Sequence, residues 1–134
     1  MSEHDWARIC SEIVVAAYGT RIVGEKDGWP LCVYPLEECR DDGSGTLHTY
    51  RYGPVPDYRR VWNEHDVERY LAWERGWAFG SRSSGSLGGG YLAWVNKPPL
   101  APRAWLRKGS TKATASVRWQ AMALAIHKAL MTDG

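Results

Sequence analysis

The chain has 134 residues, a length at which one domain can bury its own core without a metal or disulfide framework. Hydrophobic residues make up 44% and charged residues 24%, which is ordinary for a globular protein. The net charge of +2 hides a split: residues 1–75 carry nine basic and fourteen acidic side chains, and residues 76–134 carry eight basic and one acidic, Asp133. We predict a single domain, 1–134, with an acidic and a basic face unless the two halves interleave.

Membrane and export signals are lacking in the sequence. No apolar run approaches the roughly 20 residues that span a bilayer, and the polar start, MSEHDWARIC, does not resemble a signal peptide. Three cysteines form no closed disulfide framework, which favours a reducing compartment. We therefore expect a cytoplasmic protein with no membrane partner, with Cys10 and Cys32 as buried thiols and Cys39 exposed.

The first third of the chain predicts a helix followed by a hairpin. Ser2 and Asp5 have capping-box spacing at the start of a helix over residues 3–17, and Gly19 is a natural end. Its apolar stripe has helical spacing and consists of Trp6, Ile9, Cys10, Ile13 and Ala17. The Asp27-Gly28 pair then predicts a tight turn between two strands. Pro30 and Pro35 place the second strand at a sheet edge or mark its ends.

The middle of the chain predicts a polar loop, a third strand and a second helix. Alternation in TLHTYRY would set His48, Tyr50 and Tyr52 on one face of the strand. Asn63 predicts the N-cap of a helix over residues 64–75 that ends at Gly76. The predicted buried stripe of this helix is Val67, Tyr70 and Leu71, flanked by Trp73.

The last third predicts a second hairpin and a closing helix. WAF and GYLAWVNK are the two strands, and Tyr91, Ala93 and Val95 face away from Leu92 and Trp94. A last short strand over 103–108 and a helix over about 115–131 follow. The fold class is therefore α+β: an antiparallel sheet of two hairpins packed with three helices, in the order α-β-β-(β)-α-β-β-α.

No motif in the sequence predicts catalysis. The serine- and glycine-rich loop of residues 80–90 leads into a strand and lacks the G-x-G-x-x-G and Lys-Ser/Thr patterns of phosphate-binding loops. Cys32, Cys39 and His48 lack the paired spacing of a zinc site. We expect no cofactor and no metal. Whether the protein is an enzyme stays open, and the lack of a catalytic motif favours a non-enzymatic protein.

The basic second half carries the main functional signal. Cations interleaved with Trp and Tyr are typical of surfaces that bind phosphates and bases or anchor a protein partner. Lys108 to Thr111 also precede the predicted last helix, whose N-terminus would favour an anion. The candidate binding residues are Trp77, Arg82, Tyr91, Trp94, Arg103, Trp105, Arg107, Lys108, Lys112 and Arg118.

Two resemblances add to this picture. The segment KGSTKATASVRWQAMALAIHKAL resembles the closing helix of double-stranded-RNA-binding domains, although the central helix departs from that family's α-β-β-β-α order. The order of elements, with GWPLCVYP in the first hairpin and PVPDYRRVW before the central helix, is similar to small phage and prophage proteins of the ABA-sandwich type. That similarity implies a phage product, and such products include anti-CRISPR inhibitors of host defence.

Three functions follow as hypotheses. The first is a non-enzymatic phage-type protein that binds a protein partner, as an inhibitor of a defence complex in the host cytoplasm would. The second is a nucleic-acid-binding domain that uses the basic, Trp-rich half. The third is a small-ligand-binding protein or enzyme with the loop of residues 80–90 as a lid. A homodimer is compatible with all three.

Overall fold

The computed structural model describes residues 1–35, 40–41, 46–47, 50–85, 89–98 and 110–132. Its elements in chain order are α1 (Glu3–Tyr18), β1 (Ile22–Lys26), β2 (Trp29–Pro35), β3 (Arg40–Asp41), β4 (Thr46–Leu47), β5 (Tyr50–Pro54), α2 (Val61–Arg75), β6 (Ala78–Ser83), β7 (Tyr91–Asn96), β8 (Thr111–Ala115) and α3 (Arg118–Met131). The strands form antiparallel sheets in the orders β1-β2-β5, β3-β4 and β6-β7-β8. The predicted α+β class is confirmed.

The chain divides into two compact units, Met1–Pro56 and Asp57–Gly134. The prediction of a single domain stays a prediction. None of the helices in the described ranges is long and apolar enough to cross a membrane.

The first unit packs α1 against its sheet. The Ser2–Asp5 capping box is present, Gly19 ends the helix at φ 71°, and the whole predicted stripe is buried. In the hairpin, Asp27 and Gly28 both have positive φ, as a tight turn requires. β2 is the central strand, so its prolines mark strand ends and not an edge. Cys10 and Cys32 are buried thiols, as predicted.

In the second unit, α2 differs from the prediction at both its start and its exposed face. The helix begins at Val61 with Arg60 as its N-cap, and the Asn63 side chain instead donates to the Asp57 carbonyl at 3.1 Å. Its buried face consists of Glu64, Val67 and Leu71. Trp73, predicted to flank the buried stripe, is 83% exposed. Asn63 was therefore wrong as the cap because the helix starts one turn earlier.

Residues 111–115, expected to lead into the last helix, differ most from the prediction. They form strand β8, paired with β7 from Val95↔Thr111 to Tyr91↔Ala115, and α3 begins only at Arg118. The predicted anion site at a helix start after Lys108 is therefore wrong, because Thr111 opens a strand. Thr-Lys-Ala-Thr-Ala alternates side chains as a strand does, and pairing with β7 outweighs the helix propensity of its alanines.

Gly76 offers a stability test of this unit. It ends α2 at φ 68°, and a Cβ there would lie 3.3 Å from Pro98 Cγ. We expect Gly76→Ala to lower the free energy of unfolding by about 1–2 kcal/mol, because an L-residue is strained in the left-handed region. The free energy of unfolding of Gly76→Asn should fall between those of the parent and Gly76→Ala, since Asn tolerates the left-handed conformation better than Ala. Urea unfolding followed by circular dichroism measures the order, and an Ala variant as stable as the parent would contradict it.

Candidate functional site

The β6-β7-β8 sheet has one covered and one open face. Ala93 and Val95 on β7 are buried on the side that packs against α3. Successive strand residues point to opposite faces, so Leu92 and Trp94 lie on the side away from α3, where both are half-buried. We call this side the outer face. The predicted alternation of β7 is confirmed.

Trp94 packs directly on the backbone of the neighbouring strand. It stands opposite Gly80 in the β6–β7 register, and a Cβ built on Gly80 would lie 2.3 Å from Trp94 Cζ2. No side chain fits in that space, so the indole lies against the strand only because residue 80 is glycine. Trp94 is half-buried on the outer face and lines a concavity there.

Two cations flank the indole. Arg82 lies on β6 opposite Leu92 of β7, and Lys112 lies on β8 opposite Trp94 of β7. Both side chains are exposed. Together with Leu92, Trp94 and Ser110 they line a concavity of about 180 Å³. Among the described residues its lining includes two cations and no carboxylate, so the concavity favours an anionic or aromatic ligand.

Ser110 fixes one rim of this concavity. Its hydroxyl donates to the side-chain oxygen of Asn96 at 2.5 Å, and Asn96 is 3% exposed at the end of β7. Sequence reasoning did not single out Ser110, since an isolated serine before a strand carries no recognisable signal.

Three of the other predicted binding residues lie elsewhere. Trp77 is 5% exposed, and its ring is covered by Lys97 at 5.0 Å and Arg75 at 5.4 Å from the centroid. Tyr91 and Arg118 meet each other at 5.1 Å, and Tyr91 alternates with the outer-face residues of β7. The structure thus brings together Arg82, Trp94 and Lys112 from the predicted set and separates Trp77, Tyr91 and Arg118 from them.

The remaining predicted residues fall outside the described residues. They are Arg103, Trp105, Arg107 and Lys108, and the same holds for Cys39 and His48. Their roles stay predictions.

A second cluster on α2 was missed by sequence reasoning. Glu64 is fully buried, and its carboxyl group lies beside that of Glu68 and 3.6 Å from His65 Nε2. Burial raises the pKa of Glu64 to about 9, and the neighbouring Glu68 carboxyl adds to the rise. The signal was present in the sequence: Glu64 precedes Val67 and Leu71 by three and seven residues, which is the spacing of one helix face.

This cluster offers metal-binding atom types. Donor atoms of Glu64, His65 and Glu68 lie within 4.8 Å of one another. His65 stands edge-on to Trp119 of α3, with ring centroids 4.7 Å apart. Carboxylate and imidazole donors suit a divalent cation such as zinc. The prediction of no metal site was based on the spacing of cysteines and histidine alone, and it did not include Glu64, His65 and Glu68.

Comparison with protein-family models, with curated proteins and with solved structures finds no match to this chain. The function must therefore be argued from the site itself.

Glu64 should make stability fall as pH rises. The folded chain keeps the proton on Glu64 up to about pH 9, whereas the unfolded chain releases it near the usual value of 4.5. The Glu64 carboxyl therefore leaves the free energy of unfolding unchanged below pH 4.5. Between pH 4.5 and about pH 9 it lowers that free energy progressively. Over the three pH units from pH 5 to pH 8 the linkage amounts to about 4 kcal/mol. We therefore expect the drop in unfolding temperature from pH 5 to pH 8 to be smaller in Glu64→Gln, by about 10–20 °C.

Thermal unfolding in the presence of a chelator measures this difference. Glu74→Gln is the matched control, because Glu74 lies exposed on the same helix. Equal pH dependence in the parent and Glu64→Gln would contradict a neutral buried carboxyl.

Proposed function

We propose that this protein is a non-enzymatic binding protein that holds single-stranded nucleic acid on the outer face of its β6-β7-β8 sheet. The observation that carries the proposal is Trp94, packed on Gly80 and flanked by Arg82 and Lys112. An indole with one accessible side stacks on an unpaired base, and neighbouring cations contact the phosphates. Stacking of this kind accepts any base, so the expected sequence preference is weak.

The size of the concavity supports a strand that lies across the surface. Its volume of about 180 Å³ is below the roughly 300–1,000 Å³ of pockets that enclose small ligands. Residues 80–83, taken as part of a lid in the small-ligand hypothesis, belong to β6. An enclosed substrate is therefore the less supported alternative.

The element order of the second unit bears on the resemblance to double-stranded-RNA-binding domains. Among the described residues, α2-β6-β7-β8-α3 follows the α-β-β-β-α order of that family. The strand predicted over 103–108 lies between β7 and β8, outside the described residues. Lys112, part of the resembling segment, lies on a strand and not at a helix start. Element order thus supports nucleic acid as the ligand class, while Trp94 favours an unpaired strand.

A protein partner is the second candidate function. It is favoured by two tryptophans of α2, Trp62 and Trp73, that are 78% and 83% exposed, because exposed Trp is typical of interface anchors. The phage-type, anti-CRISPR-like role in a host cytoplasm stays a prediction from element order. Recovery of a stoichiometric partner from host lysate, lost in Trp62→Ala, would favour it over nucleic acid.

Oligonucleotide binding tests the primary proposal. Fluorescence anisotropy of a labelled oligothymidylate should show binding that weakens as salt increases. Arg82→Ala and Lys112→Ala should each reduce the slope of log K against log salt by about 0.7, the value for one phosphate contact on a single strand. Trp94→Leu should weaken binding by about 5- to 100-fold through lost stacking, whereas Trp94→Tyr should retain most of the affinity.

Two controls sharpen the result. Arg118→Ala removes the same charge as Arg82→Ala but lies with Tyr91 off the outer face, so it should leave the affinity unchanged. Gly80→Val should displace the indole and weaken binding without altering any cation. The proposal fails if no binding occurs at low salt, if Arg118→Ala acts like Arg82→Ala, or if a duplex competitor binds more tightly than the single strand.

A further inference from the structure

The exposed face of α2 carries an ordered stripe of four residues. Trp62, Asp66, Arg69 and Trp73 follow one another at intervals of four, three and four, which places them on one side of a helix with 3.6 residues per turn. Trp62 is 78% and Trp73 83% exposed. Asp66 and Arg69 between them form a weak ion pair at 3.6 Å, with side chains 70% and 81% exposed. We call these four residues the α2 stripe.

The α2 stripe is symmetric about its middle. The midpoint between Trp62 and Trp73 coincides with the midpoint between Asp66 and Arg69, and it lies between Val67 and Glu68. In either direction the stripe presents an aromatic residue, a charge, the opposite charge and an aromatic residue. A two-fold axis through this midpoint therefore superimposes aromatic on aromatic and places each charge opposite its complement.

We propose that the α2 stripe is a self-association surface on which two copies of this chain pack α2 against α2 in antiparallel orientation. Trp62 of one copy then faces Trp73 of the other, and Asp66 of one faces Arg69 of the other, twice over. Such an interface uses the same patch on both copies, as two-fold dimers do. A foreign partner would not require this symmetry, which is why the occupant is a second copy.

The ion pair between Asp66 and Arg69 favours association, because each residue exchanges its partner within the helix for one in the second copy. As an exposed pair within one helix, Asp66 and Arg69 contribute little to the stability of a single chain. Across the dimer axis each would instead be partly shielded from water by the neighbouring indoles, where an ion pair gains strength. Like charges brought opposite each other at the same place would oppose association.

The buried area indicates a weak dimer. Each indole can contribute about 200 Å², so four of them bury about 800 Å², and the charged pairs between them bring the total toward the lower limit of specific interfaces, about 1,200 Å². We therefore expect a dissociation constant in the micromolar range. This surface shares no residue with the outer face of the sheet, so the inference does not depend on the proposed nucleic-acid binding. It competes with the foreign protein partner considered above for Trp62 and Trp73, and the charge-swap series distinguishes the two.

A charge-swap series tests the arrangement by sedimentation equilibrium. The parent should change from monomer to dimer between low micromolar and several hundred micromolar concentrations. Asp66→Arg and Arg69→Asp alone should each weaken association by roughly tenfold or more, because like charges then face each other. An equimolar mixture of the two variants should associate again, and so should the chain that carries both substitutions.

The matched control is Glu74→Arg. It changes the net charge by the same amount as Asp66→Arg on the same helix, but position 74 lies about 100° around the helix from Trp73. It should leave the dimer intact. A parent that stays monomeric throughout, an association indifferent to Asp66→Arg, or a double swap that fails to associate would each overturn the proposal, and circular dichroism confirms that every variant is folded.

Discussion

The packing of α3 on the β6-β7-β8 sheet decides which surface of the second unit is free. The helix presents small buried side chains, Ala121, Ala125 and Ala129 among them, around Ile126, and these let it approach the sheet closely. Ala93 and Val95 complete the contact from β7. Since side chains alternate along a strand, burying these two residues leaves Trp94 on the opposite side. A slip of one residue would bury the indole and expose the core.

The glycine at position 80 adds a second constraint to this arrangement. A sheet face that carries Trp94 could hold the ring upright, but the space above Gly80 lets it lie against the backbone. Arg82 and Lys112 lie on the two neighbouring strands and line the same concavity as this ring. Paired strands thus hold the indole and the two cations together, an arrangement that needs no loop to become ordered.

Sequence patterns predicted much of the fold and only part of the site. α1, its cap, the Asp27-Gly28 turn and the β6–β7 hairpin follow from local spacing. β8 was missed because an alternating run of threonine and alanine suits both states, and pairing with β7 decides between them. Trp73 was misplaced because the spacing of apolar residues did not show that Glu64 occupies the buried face. Buried carboxyls contradict the usual partition of polar residues.

The sequence by itself determined the α+β class, both caps of α1, the end of α2 at Gly76, the Asp27-Gly28 turn and the excess of cations after Glu74, because these depend on residue type and short spacing. Only the tertiary structure decided which cations share a surface. It separates Arg118 from Arg82 across the sheet and joins Arg82, Trp94 and Lys112 from three strands. Strand register, set by contacts between residues far apart in sequence, is the physical reason, since composition specifies a charge but not the face on which it lies.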